Sequence, residues 1–231
     1  MEEGIRWERL EWLEVNWCED GTWDLFAAEA DGGEAVRWSV SWDAFPGEVL
    51  AHLPECLELT SMVCGFYDMP AAEQGDFLTA LAGMPALEVL AVNCSIASLE
   101  PLADCQRLQR LSLVRCDASA LPAMDITSLM LRDSTGIAWE RMMEQTSLEA
   151  LGIFGSSIPD TLEPLCDHPT LRTLILETSD PDVDVGGWPV RLTDPEGEIP
   201  AELGIPYETE ELREFLERGD ALIRIQVNTF R

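Results

Sequence analysis

The chain has 231 residues, 46% of them apolar, and a mean hydropathy of −0.01, the profile of a globular protein with one sizeable core. It carries 44 acids against 14 bases, a formal net charge of −30, and every base is an arginine. The lack of lysine excludes a P-loop lysine, a kinase ATP-binding lysine and a Schiff-base lysine for a pyridoxal cofactor, while so negative a field repels nucleic acid and anionic membranes and attracts basic proteins.

The charge is uneven along the chain. Residues 1–86 hold 18 acids and 3 bases, residues 87–178 hold 13 and 6, and residues 179–231 hold 13 and 5. Two readings of it stand side by side: a field that steers a basic partner, or acidity that serves solubility only.

The first elements follow an apolar period of two. Leu13, Val15 and Trp17 precede the turn signal at Gly21, Trp23 and Leu25 follow it, and after Gly32-Gly33 come Val36, Trp38, Val40 and Trp42. This predicts a three-stranded antiparallel meander. Residues 46–53 and 76–83 suit short helices, the second ending at Gly83 before Pro85. The apolar run 57–65 between them could pair with the strand that follows and form a first irregular repeat.

Four segments then fit Leu-x-x-Leu-x-Leu closely, and a fifth fits with Ile in the first slot: Leu87, Leu90, Val92; Leu108, Leu111, Leu113; Ile126, Leu129, Leu131; Leu148, Leu151, Ile153; and Leu171, Leu174, Leu176. Their first residues are spaced by 21, 18, 22 and 23. Three residues after each last apolar position stands a small polar group: Ser95, Cys116, Ser134, Ser156 and Ser179. The outer halves repeat as well, with Leu99-Glu-Pro-Leu102 before Cys105 recurring as Leu162-Glu-Pro-Leu165 before Cys166.

This pattern resembles the leucine-rich-repeat family, whose Asn/Cys ladder occupies the small polar position and satisfies backbone groups where the chain leaves the strand. The asparagine is missing here, and residues 121–125 leave no room for a helix in the third coil. The resemblance implies an α/β fold, a short repeat solenoid with a parallel sheet, and a protein that works by binding another protein. The expected divisions are 1–56, a meander-and-helix cap; 57–86, an irregular first repeat; 87–180, the repeats; and 181–231, a C-terminal cap. In that cap, residues 181–206 read as loop with a strand near Val190 and Leu192. A helix over 209–218 carries Leu212, Phe215 and Leu216, and Ala221, Ile223, Ile225 and Val227 alternate as a last strand.

In such a solenoid the residues between the core positions face outward on the concave side. The outward columns contain Arg110, Val114, Met130, Arg132, Phe154, Ile175 and Glu177. Apolar groups with arginines around them suit a protein interface, so these seven are the expected binding residues. The alternative is that flanking segments cover this sheet and make the apolar ones core.

No catalytic, cofactor or metal site is expected. Seven cysteines, an odd number with no Cys-x-x-Cys, read as reduced thiols of a cytoplasmic protein. The acidic start lacks the pattern of a secretory leader, and the apolar stretch 80–99 is broken by Pro85, Glu88 and Asn93. Only His52 and His168 offer imidazole chemistry; Cys166-Asp-His168 falls on an outer turn and reads as structure. Residues 179–186 resemble a calcium loop, but the glycine comes one position late and Arg191 holds the place of the bidentate glutamate. The tryptophans, six of the 8 lying within residues 1–42, read as core and cap. The expected partner is a basic protein, without direct contact to nucleic acid or membrane. The favoured role is a neutralising one of the kind an immunity protein exerts on a nuclease toxin, and the alternative is an adaptor that recruits a client.

Overall fold

The computed structural model of the chain describes residues 6–17, 22–29, 36–41, 47–65, 71–93, 98–156, 163–178, 190–193 and 223–228. The chain forms two compact units, residues 1–108 and 109–231. The first repeat strand belongs to the first unit and the other four to the second.

In the first unit, strands β1 (Leu10–Trp17), β2 (Thr22–Glu29) and β3 (Val36–Ser41) form an antiparallel meander. On its other side β1 pairs in parallel with β4 (Ser61–Gly65), which pairs in parallel with β5 (Val89–Asn93). Alternation explains the core: Leu13 and Val15 stand beside Ala27 and Leu25 on β2 and beside Met62 and Cys64 on β4, which stand beside Leu90 and Val92 on β5. All eight are buried. The helix α1 (Gly47–His52) runs into a 3-10 turn, Leu53–Glu55. The helix α2 (Ala71–Ala82) begins five residues before the expected 76–83, and Phe77, Leu78 and Leu81 form its buried side.

The second unit carries the repeats. Strands β6 (Arg110–Val114), β7 (Ser128–Arg132), β8 (Ala150–Phe154) and β9 (Thr173–Thr178) pair in parallel and in register, placing Leu111, Leu129, Leu151 and Leu174 in one column and Leu113, Leu131, Ile153 and Leu176 in the next. Both columns are buried. Beyond β9 the sheet turns antiparallel: β11 (Ile223–Asn228) pairs with β9, and β10 (Val190–Thr193) with β11. The expected helix at 209–218 and the calcium-like loop at 179–186 lie outside the described residues, as do Ser95 and Ser179.

Each coil repeats the same backbone contacts at its two ends. At the strand entrance one carbonyl accepts two successive N–H groups: Gln109 O from Thr127 and Ser128 (2.8 and 3.0 Å), Thr127 O from Glu149 and Ala150 (2.8 and 3.0 Å), Glu149 O from Arg172 and Thr173 (2.8 and 3.0 Å). At the exit a left-handed residue turns the chain: Arg115 (φ 60°), Asp133 (φ 48°) and Gly155 (φ 57°).

The small polar residue that follows bonds back to the carbonyl two positions before it. Cys116 Sγ lies 3.4 Å from Val114 O, Ser134 Oγ 3.0 Å from Arg132 O, and Ser156 Oγ 3.0 Å from Phe154 O. The serine hydroxyls also accept from the preceding coil, Ser134 from Cys116 N (3.3 Å) and Ser156 from Ser134 N (2.9 Å). A buried backbone donor without such a partner would carry a desolvation cost, so the ladder is what lets the chain turn off the sheet inside the core. The short coil has a 3-10 turn, Ala118–Ala120, and no helix over residues 121–125, where a side chain ties the backbone instead. Buried Gln145 donates Nε2 to Pro122 O (2.8 Å) and accepts from Met124 N at Oε1 (2.9 Å).

Candidate protein-binding face

The face of the repeat sheet opposite the leucine columns is the candidate site. Register sets its layout: Ser112 on β6 stands beside Met130 on β7, Met130 beside Gly152 on β8, and Gly152 beside Ile175 on β9, while Val114, Arg132 and Phe154 form the neighbouring row.

The structure corrects the expectation that this face shows its apolar groups to solvent. Met130 is 2% exposed, Phe154 0% and Ile175 1%, and together with Ala150 they form one apolar cluster. Ser112 and Ser128 are buried too. Gly152 stands between Met130 and Ile175 and contributes no side chain there. Three of the seven expected contact residues are thus buried side chains. Arg110, Val114 and Arg132 are half-buried at the strand ends. Glu177 sits on β9 opposite Arg224 of β11 in the ladder, and its side chain lies outside the description.

The first unit has a corresponding outward face with different chemistry. Glu14 and Asp24 are buried carboxylates, 8% and 7% exposed, and Glu14 accepts a hydrogen bond from the Asn16 amide. Asn16 stands beside Asp24 on one side and Gly65 on the other, where a Cβ on Gly65 would come 2.7 Å from Asn16 Oδ1. These residues were not singled out from the sequence. Their signal was present in the polar positions alternating with Leu13 and Val15, but nothing in the alternation marks them as buried.

The other titratable candidates have structural surroundings. Burial pushes the Cys56 thiol up to about 12, helped by the carboxylates of Glu55 and Glu8, and burial with Asp104 pushes Cys105 up to about 11. Such thiols stay protonated and are poor nucleophiles and poor metal ligands. His52 stacks on buried Trp7 with ring centroids 4.8 Å apart and lies 3.3 Å from Glu55 Oε2. His168 is buried with both ring nitrogens bonded to backbone, so it is turned away from any ligand role; the Cys166 side chain lies outside the description. Among the described residues no three His, Cys, Asp or Glu side chains group as a metal site, and no helix is long and apolar enough to cross a membrane.

Against this geometry stand the comparisons with known proteins. No protein-family model matches the chain, and no curated protein does. Eight chains of solved structures match, among them an internalin from Listeria monocytogenes str. 4b F2365. That chain is 20% identical over 55% of this one, at a TM-score of 0.40. The match takes in 36% of the internalin chain, so what this chain resembles is about a third of that protein.

Proposed function

We propose that the protein is a non-catalytic binding module that captures and neutralises a basic protein, in the manner of an immunity protein holding a cationic nuclease toxin. The observation that carries this reading is the charge and its placement: −30 overall, with 18 acids and 3 bases in residues 1–86. Glu8, Glu11, Glu55, Glu58 and Asp76 of that stretch are exposed. Rigid parallel repeats supply a surface, and a one-signed field raises the rate at which an oppositely charged partner finds it.

In this reading the contact residues on the repeat sheet are the half-buried Arg110, Val114 and Arg132, with Glu177 included by its strand position. Met130, Phe154 and Ile175 support them from within the core.

The test is association kinetics with a purified basic partner at rising salt. The on-rate should fall steeply between low and physiological ionic strength, and Glu8→Gln, Glu55→Gln and Glu58→Gln combined should flatten that dependence while the dissociation rate stays nearly constant. A partner that is neutral, bound at a rate indifferent to salt, would remove the steering argument and leave the adaptor role, with acidity serving solubility.

A further inference from the structure

We propose that His168 is an acid-sensitive latch: the neutral imidazole ties the start of β9 to the coil before it, and protonation of the ring releases that strand. The geometry fixes the neutral form. Nε2 donates to Met142 O (3.3 Å), which leaves Nδ1 as the acceptor for two backbone donors, Thr170 N (3.3 Å) and Leu171 N (3.1 Å). Leu171 opens the last apolar triplet, and Thr173 begins β9. A ring with protons on both nitrogens has no lone pair for Thr170 and Leu171, and it would point an N–H at two N–H groups.

His168 is 2% exposed, so water is poorly placed to take over the lost bonds. The second anchor of this turn is independent of pH, Thr170 Oγ1 reaching Thr146 O (2.9 Å) and Leu148 O (2.8 Å).

The surrounding charges do little to oppose the effect. On and just after α3 (Trp139–Met143) the charged side chains are Glu140, Arg141 and Glu144; Asp167 precedes the ring and Arg172 follows the turn. All five are exposed, and Arg141 is paired with Glu144 at 2.8 Å. Burial is the largest influence and holds the imidazole below its ordinary 6.5, with the Met142 and Gln145 backbone groups pulling the other way. The sign follows from linkage. An opened turn takes up a proton as the pH falls through about 6.5, while the closed turn resists until its own lower value, so the latch is whole above 6.5 and weakens progressively below it. Strand β11, paired along β9 from Ile223 to Asn228, would loosen with it.

Amide hydrogen exchange on the full chain between pH 7.5 and 5, corrected for intrinsic rates, reads this directly. Protection at Thr170, Leu171 and the β9 amides should fall about tenfold per pH unit below 6.5, until the pH reaches the folded ring's own value. His168→Asn, whose side-chain oxygen can accept from the same two amides and does not titrate, should hold its protection flat. Wild-type protection that does not change with pH, or an equal loss in His168→Asn, overturns the latch. If that variant fails to fold, wild-type proton NMR decides, because the chain has only 2 histidines: a His168 ring titrating at or above 6.5 sinks the proposal.

Discussion

The outward faces of the two units differ in strand geometry and in what fills them. In the first unit the antiparallel meander contributes Glu14, Asn16 and Asp24, with Val63 and Ala91 in the row of Glu14, and in the second the parallel repeat strands contribute Met130, Phe154 and Ile175 beside Ser112 and Ser128. Both sets lie largely out of water, Glu14 at 8% and Asp24 at 7%, Met130 at 2% and Phe154 at 0%. Period-two alternation assigns a residue to a side of a sheet, and it carries no information on whether that side meets solvent. A polar filling needs hydrogen bonds to be stable and is sensitive to the loss of a partner. An apolar filling needs shape, and is sensitive to the loss of volume.

The sharpest way to break this comparison is to truncate one face and neutralise the other. Phe154→Ala should cost about 3–5 kcal/mol in urea unfolding, the range for emptying a fully buried aromatic site. Glu14→Gln, which keeps the shape and an acceptor for Asn16, should cost no more than about 1 kcal/mol. A cost for Phe154→Ala within experimental error of zero would mean that the face is open to water, and would return Met130, Phe154 and Ile175 to the list of contact residues. Both measurements need the urea transition to be two-state, which coincident fluorescence and circular-dichroism curves would establish.

A smaller effect separates the ladder from the faces. Ser134 serves two coils, accepting from Cys116 N and bonding back to Arg132 O, and it is 1% exposed. Ser134→Ala should cost about 1–3 kcal/mol by leaving a buried amide without its acceptor, and Ser134→Cys, which restores the kind of group Cys116 presents, should recover part of it. Equal losses in both variants would mean that the position is held by packing alone.

Much of the repeat region was legible because its signal is periodic. The triplets ending at Leu113, Leu131, Ile153 and Leu176 give the strands and their register, and the small residue three places later gives the turn. What was illegible depends on residues far apart in sequence. Gln145 completes the short coil from 21 residues downstream of Met124, a contact that no local pattern announces. The burial of Phe154 is likewise not announced by its position in the alternation. The pattern therefore assigns these residues to a face of the sheet, and the burial of Met130, Phe154 and Ile175 on it is not written in that pattern.

The smallest expected effect compares three coils at one backbone position. Arg115, Asp133 and Gly155 all leave their strands in the left-handed region, with φ of 60°, 48° and 57°. Only glycine occupies that region freely; a side chain there costs of order 1–2 kcal/mol, less for Asp and Asn, whose short polar groups tolerate it. A Cβ on Gly155 would also clash with Asp133 Oδ1, so that carboxylate must move. Gly155→Ala should thus destabilise by about 1–2 kcal/mol in urea unfolding, and Asp133→Gly should lie within about 0.5 kcal/mol of wild type, because the small relief of strain is offset by the freedom glycine adds to the unfolded chain. If Asp133→Gly were instead as costly as Gly155→Ala, the turn would depend on the Asp133 side chain and not on the backbone freedom of the position.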